Sequence, residues 1–248
     1  KGIFIFPEEK YKKNQFMIDK DFLSKEENDF DFSLPDDNST AYIYFTSGST
    51  GAPKGVQVTY ENLNYFLHNM NEYYDLPPSF RASQTFDLSF DPAVSDIFFS
   101  WMKGGTLCVM PEEDLLLPFD YIQREKINFW NAVPTLGNFM LRLNLLKENV
   151  FPSLNYSTFC GEQFPQNLAE SWMIAAPNST VENLYGPTET TIYISRYKYK
   201  KNSKNYKNSI VPIGRPFKGH TAIILDDKNK QVPKGIVGQI AFAGPQVS

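Results

Sequence analysis

The chain has 248 residues, 42% of them hydrophobic, and a formal net charge of −4. That is enough apolar matter for a full core, in one large domain or two small ones, and the mildly acidic balance offers no general attraction to nucleic acid or to an anionic membrane surface. No run approaches the roughly 18 apolar residues of a membrane span, and the two cysteines, Cys108 and Cys160, lack Cys-x-x-Cys spacing, so no membrane insertion and a reducing cytoplasm are expected.

In chain order, residues 1–39 predict an acidic connecting segment on the surface. Asp19, Asp21, Glu26, Glu27, Asp29, Asp31, Asp36 and Asp37 stand there against Lys20 and Lys25, with little periodicity. The amino terminus has no basic-then-apolar leader pattern, and the chain opens on Lys1 and closes on Gly244-Pro245-Gln246-Val247-Ser248 without a terminal helix. It is therefore expected to be cut from a longer polypeptide.

Ala41 to Phe45 is a short run of β-formers and predicts a buried strand. The decapeptide Thr46-Ser47-Gly48-Ser49-Thr50-Gly51-Ala52-Pro53-Lys54-Gly55 follows at its end. Glycines three apart, hydroxyls around them and one lysine beyond give backbone N–H groups that can turn toward oxyanions, with Lys54 adding a charge. Gly48 and Gly51 are too close for a Walker A loop, and no Gly-x-Gly-x-x-Gly fingerprint occurs. An ordinary Ser/Thr/Gly surface turn is the alternative. Val56 to Val58 could be a second strand, and Thr59 with Glu61 and Asn62 predicts the cap and first turn of a helix reaching Tyr74.

Thr85 to Asp96 is an apolar stretch interrupted by Asp87, Asp91 and Asp96. Carboxylates in such a setting are costly unless a cation or donor meets them, so one of them could recognise an ammonium group. A helix cap at Asp91, ahead of Pro92, is the other reading. Short apolar runs then alternate with helical stretches: strands at 106–110, 129–133, 157–160 and 181–184, helices at 121–126, 136–146 and 167–175. That alternation predicts an α/β core over 40–195 with a largely parallel sheet.

Asn183-Leu184-Tyr185-Gly186-Pro187-Thr188-Glu189-Thr190 follows the last of these strands and should share a sheet edge with the first loop. Tyr185 offers a flat face, Gly186-Pro187 a rigid turn, Thr188 a hydroxyl and Glu189 a carboxylate; a common Gly-Pro turn is the plainer reading. From Ile192 to Lys200 the letters alternate with period two, and residues 196–248 predict a β-rich subdomain. His68 and His220 have no Ser/His/Asp or metal spacing around them and are expected to be structural or at the surface.

Together these motifs resemble the adenylate-forming superfamily of acyl-CoA synthetases, luciferases and peptide-synthetase adenylation domains. The phosphate loop matches at Thr46 to Gly55, the Tyr-Gly-Pro-Thr-Glu motif at Tyr185 to Glu189, and Gly214-Arg215-Pro216 resembles a further element. The chain is most similar to D-alanine:D-alanyl carrier protein ligases, through Phe90-Asp91 with Gly104-Gly105-Thr106-Leu107 downstream and through Phe159-Cys160-Gly161-Glu162. Asp87 fits the local letters better, but only Asp91 keeps the distance to Gly104; Asp87 is the fallback. Pro92 and Ala93 depart from the ligase pattern, which leaves the amino acid open.

The resemblance implies layered αβα sheets followed by part of a β-barrel-like subdomain, and an enzyme that forms an aminoacyl-AMP and passes the acyl group to the phosphopantetheine thiol of a carrier protein. ATP and Mg²⁺ are the implied cofactors. Lys54, Thr188 and Glu189 would be catalytic, with Glu189 carrying Mg²⁺. ATP would be held by Thr46, Ser47, Gly48, Ser49, Thr50, Gly51 and Lys54, and by Gly161, Glu162, Asn183, Leu184, Tyr185, Gly186, Pro187 and Thr188. Asp91, Pro92, Ser95, Asn131, Thr158, Cys160, Leu184, Ile192 and Tyr193 would line a pocket for a small, neutral amino acid, Cys160 being a wall and no nucleophile. The family's Thr-Gly-Asp element and its mobile domain with a catalytic lysine have no counterpart in the 248 residues, so these alone are expected to adenylate nothing measurable. An acyl-CoA synthetase and a non-catalytic nucleotide-binding or carrier-docking module are the alternatives.

Overall fold

A computed structural model describes residues 35–46, 52–201 and 206–248. Its centre is a seven-stranded sheet of order β4-β3-β5-β6-β7-β8-β9. The parallel part comprises β3 (Arg81–Gln84), β4 (Thr106–Val109), β5 (Phe129–Ala132), β6 (Tyr156–Phe159) and β7 (Thr180–Tyr185). β8 (Ser195–Lys198) and β9 (Arg215–Pro216) add antiparallel strands. The sheet thus runs on past residue 195, and the ribbon of β10 (Thr221–Leu225) and β11 (Gln239–Ala243) stands outside it.

Alternating side chains divide the sheet into two faces. Trp130, Ala132 and Phe159 point to one face, covered by α3 (Phe119–Arg124), α4 (Pro134–Arg142) and α5 (Gln166–Ala175) through Tyr121, Met140, Leu168 and Trp172. Phe129, Cys160 and Leu184 point to the other, covered by α1 (Tyr60–Tyr73) and α2 (Pro92–Met102) through Leu63, Phe66, Val94 and Phe99. The helix starts follow from local chemistry. Thr59 accepts from Asn62 N and its own N–H donates to Asn62 Oδ1, a capping box, and α2 and α4 open on proline, which is pre-set for a first helical position.

Two expectations change. The strand before the decapeptide is not a buried member of the sheet: β1 (Thr40–Thr46) pairs only with β2 (Lys54–Thr59) in an antiparallel hairpin, and Ile43 and Phe45 are exposed. Nor is 192–200 one alternating strand. Thr191 and Ile192 have φ of 57° and 69°, so the chain turns there and β8 begins only at Ser195. Among the described residues no helix is long and apolar enough to cross a membrane.

Candidate active site

β3, β5, β6 and β7 all deliver the residues just beyond their carboxyl ends to one cleft of about 770 Å³. Thr85 and Phe86 come from β3, Val133 from β5, Cys160 to Phe164 from β6, and Gly186 and Pro187 follow Tyr185 of β7. Parallel strands end there with unpaired backbone and leave a crevice, the usual ligand position in such sheets. Asp91, Pro92, Cys160, Gly161, Glu162, Asn183, Leu184, Tyr185, Gly186, Pro187, Ile192 and Tyr193 all line this cleft.

Asp91 sits at the N-cap of α2, yet its side chain caps nothing. Of the two readings left open for it, the helix cap holds by position alone: Asp91 stands ahead of Pro92 at the start of α2 without a capping hydrogen bond. Among the described residues Oδ2 is buried without a hydrogen-bond partner. Burial pushes the carboxyl up to about 6, partly offset by the Thr188 hydroxyl and the Ile192 N–H that face it. Asp87 differs. It is exposed, and Ser89 N and Oγ both donate to its Oδ1, at 2.8 and 2.6 Å, which holds its carboxyl below the usual range.

Ser95, Asn131 and Thr158 are not at the cleft surface; they are buried behind it. Asn131 Nδ2 donates to Asp96 Oδ1 at 2.7 Å and to Tyr193 Oη at 3.0 Å, and Asn131 Oδ1 accepts from Thr158 Oγ1 at 2.9 Å. Tyr193 Oη lies 3.2 Å from Cys160 Sγ. Burial lifts the Asp96 carboxyl well above the carboxylate range, with the Asn131 amide offsetting part of this. Burial likewise raises the Cys160 thiol, so a thiolate nucleophile is disfavoured.

The phosphate-loop residues Ser47, Gly48, Ser49, Thr50 and Gly51 lie outside the described residues. Their flanks are ordered by the hairpin, which sets Thr46 directly across from Lys54. The hairpin is no part of the sheet that carries the Tyr185 turn, yet β2 packs against the Thr188–Thr190 turn, and Tyr44 Oη donates to Leu88 O at 2.8 Å. Lys54 and Glu189 are both exposed. The exposed Glu189 carboxylate, near enough to Asp91 to act on its charge, could serve as one of the oxygen ligands that Mg²⁺ takes.

Some side chains have commitments that the sequence did not show. Asn183 Nδ2 donates to Val211 O and Pro212 O, at 3.0 and 3.1 Å, tying the loop before β9 over the cleft. Glu162 Oε2 accepts from Thr135 N and Oγ1, at 3.0 and 2.6 Å, at the start of α4. Phe90, Leu136, Gln163, Ile210, Val211 and Ile213 also line the cleft and were not expected. Val133 could have been found by its place after a strand. Ile210 to Ile213 carry no such signal, because they arrive from a loop.

An α/β sheet with a crevice at the carboxyl ends of its parallel strands, a buried acid on one wall and a flat tyrosine on another, places the chain among α/β proteins that hold small ligands at that edge. The family model for AMP-binding enzymes matches residues 5–248, and the chain belongs to that family, as the resemblance implied. It is 32% identical over 212 residues to the D-alanine--D-alanyl carrier protein ligase of Bacillus velezensis, covering 84% of this chain and 42% of the relative. It is 31% identical over 211 residues to the delta-poly-L-ornithine synthetase of Acinetobacter baumannii, covering 84% of this chain and 15% of that one. Among solved structures, the Vibrio cholerae adenylation domain AlmE in complex with glycyl-adenosine-5'-phosphate superposes with a TM-score of 0.81 at 35% identity, over 86% of this chain and 41% of that one. The chain thus has the fold of adenylation domains and spans less than half the length of these relatives.

Proposed function

We propose that these residues form the substrate-binding core of an enzyme that activates a small neutral amino acid with ATP and passes it to the thiol of a carrier protein. The observation that carries this reading is Asp91. A buried carboxylate oxygen without a partner, at the wall of a mainly apolar cleft, is costly unless a cation reaches it, and an α-ammonium group is a cation of the right size. The named activities of the relatives agree with it.

In the first step the amino acid's carboxylate oxygen attacks the α-phosphorus, the bond to the β-bridging oxygen breaks, and pyrophosphate leaves. In the second, a thiol sulfur attacks the acyl carbon, the acyl–oxygen bond to AMP breaks, and the thiol proton goes to solvent. An anion attacking a polyanion needs neutralised charge and in-line placement. Lys54 supplies charge to the β- and γ-phosphates together with backbone of the 46–51 loop, Thr188 meets the α-phosphate, and Tyr185 flanks the base. Glu189 would hold Mg²⁺, which screens phosphate charge when bound. Asp91 holds the ammonium group, with Cys160, Ile192 and Tyr193 bounding the side chain. Both cysteines are free and buried, and we place the protein in a reducing cytoplasm.

Amino-acid-dependent ATP–pyrophosphate exchange, run across an amino-acid panel on the longest natural polypeptide containing these residues, tests the reading. Glycine, alanine isomers or another small neutral amino acid should lead. A preference for arginine, lysine or glutamate overturns it. Exchange driven by fatty or aromatic acids, unchanged in Asp91→Ala, points instead to an acyl-CoA synthetase.

A further inference from the structure

Gln246 is a polar residue with 0% exposure, far in sequence from every motif described above. All of its polar groups are engaged. Nε2 donates to the carbonyl of Tyr193 at 2.8 Å, with the carbonyls of Thr190 and Thr191 at 3.4 Å. Oε1 accepts from Asn69 Nδ2 at 3.2 Å, and the backbone carbonyl accepts from Thr191 Oγ1 at 2.7 Å. Its backbone N–H donates to His220 Nε2 at 3.1 Å. Neighbours repeat the pattern: Asn62, on the Asn69 side of α1, donates to Pro245 O at 2.7 Å, and Ser248 N and Oγ donate to Glu189 O at 3.0 and 3.1 Å.

The turn gripped in this way is strained. Thr191 and Ile192 are consecutive β-branched residues in the left-handed region, where Cβ crowds the backbone, and such conformers persist only where surroundings over-determine them. Beyond the turn stand the groups the cleft uses. Ile192 and Tyr193 form wall, and the Ile192 N–H faces the Asp91 carboxylate. Gly186 packs under them so closely that a Cβ there would lie 2.5 Å from Ile192 O.

We infer that Gln246 is a positioning residue for amino-acid selection: its amide clamps the Thr190–Tyr193 backbone, fixing the Ile192–Tyr193 wall and so the size of side chain the cleft admits. This rests on the reading of the cleft as an amino-acid site. Without the clamp the turn relaxes out of its left-handed conformation, Ile192 retreats, and larger amino acids enter.

The test compares Gln246→Ala and Gln246→Met with wild type, in the longest natural polypeptide containing these residues. Met keeps the bulk but has no donor for the turn. Two readouts are taken: the ratio of kcat/KM for the preferred small amino acid over leucine, and calorimetric Kd values of the matching non-hydrolysable aminoacyl-adenylate analogues. Both variants should lower the ratio about tenfold or more, with the Kd ratio falling in parallel. A merely structural role lowers both amino acids by one factor, and an unchanged ratio in a folded variant overturns the proposal. Should neither variant fold, Thr191→Val, which removes only the hydroxyl donated to Gln246 O, must lower the ratio by a smaller factor, and no change there overturns it equally. A wild type without amino-acid dependence sinks the parent reading first, and this selectivity role with it.

Discussion

The two faces of the central sheet are built from different materials. The face under α3, α4 and α5 is mainly apolar, and dry in that sense: Trp130 and Trp172 stack at 6.1 Å, Phe159 stacks on Phe164 at 4.5 Å, the cluster draws on Cys108 to Val211, and its buried hydroxyls Ser157 and Ser179 pair with each other at 2.8 Å. The face under α1 and α2 buries polar groups among its apolar ones. Asp96, Asn131 and Tyr193 share one network, and Glu182 accepts from Tyr74 Oη at 2.9 Å with Arg196 Nη1 at 3.4 Å. A dry face gains by area and is non-directional, whereas a buried network specifies geometry and is costly when any member is missing. Stability should therefore be concentrated on one side of the sheet and recognition on the other.

The largest effect should come from breaking the dry side. Trp172→Ala removes a fully buried indole from the aromatic stack and should cost about 3–5 kcal/mol in denaturant unfolding, while the amino-acid preference of the remaining folded protein stays as it was. A loss of preference would mean that the two faces are not separable.

Asp91→Ala should do the reverse. We expect amino-acid-dependent exchange to fall about 10²- to 10³-fold, with little change in Tm, because relief of the unpartnered buried Oδ2 is set against loss of the acceptor that the Thr188 hydroxyl and the Ile192 N–H face. The same residue sets a pH dependence. Its carboxyl titrates at about 6 in the fold, above its ordinary value of about 3.9. Affinity for the ammonium group should rise as pH climbs through about 6, and Asp91→Asn should flatten that profile. For folding the sign is opposite: the raised carboxyl favours the fold at low pH, and that contribution is lost as pH rises through about 6.

Gly186→Ala tests whether the two turns act as one body. The added Cβ would meet backbone, which cannot swing aside, and a cost of about 1–3 kcal/mol is expected in thermal unfolding. A neutral Tm would show the turns move freely. The smallest effect belongs to His220. Burial holds its ring below the ordinary value, and Nε2 must stay unprotonated to accept from Gln246. A depressed folded value means that the contribution is present above about pH 6.5 and is lost as pH falls through the folded value. His220→Gln should therefore be less acid-sensitive than wild type in a pH series of melts.

What the sequence disclosed follows the same division. Elements with local causes were readable: the capping residues at Thr59, the Asp91-Pro92 helix start, and apolar strands such as Phe129–Ala132, which is buried throughout; the helix at Pro134 was expected only from 136. β3 was not, since Arg81-Ala82-Ser83-Gln84 carries no β signature and is a strand only because β4 and β5 flank it. Ile192 to Lys200 misled because period-two letters say nothing of a left-handed backbone. In the cleft, the walls after β6 and β7 were legible from their motifs. Ser95, Asn131 and Thr158 were named through the resemblance, but that they lie buried behind the wall was not legible, nor were the roles of Asp96 and Gln246, which depend on partners far along the chain.

One consequence concerns the order in which the molecule can be made. The ribosome delivers every member of the dry cluster by Val211, and domains condense as their parts emerge, so a nascent chain can hold a finished hydrophobic half while Gln246 is still unsynthesised. Until that residue appears, the backbone around Ile192 lacks the bonds that Gln246 gives it, and the wall of the cleft sets only after the hydrophobic half has done so. Limited proteolysis of chains stopped at Ala243 should accordingly nick 188–193 while leaving the tryptophan side intact, and equal protection at both places would show that the turn sets itself without help.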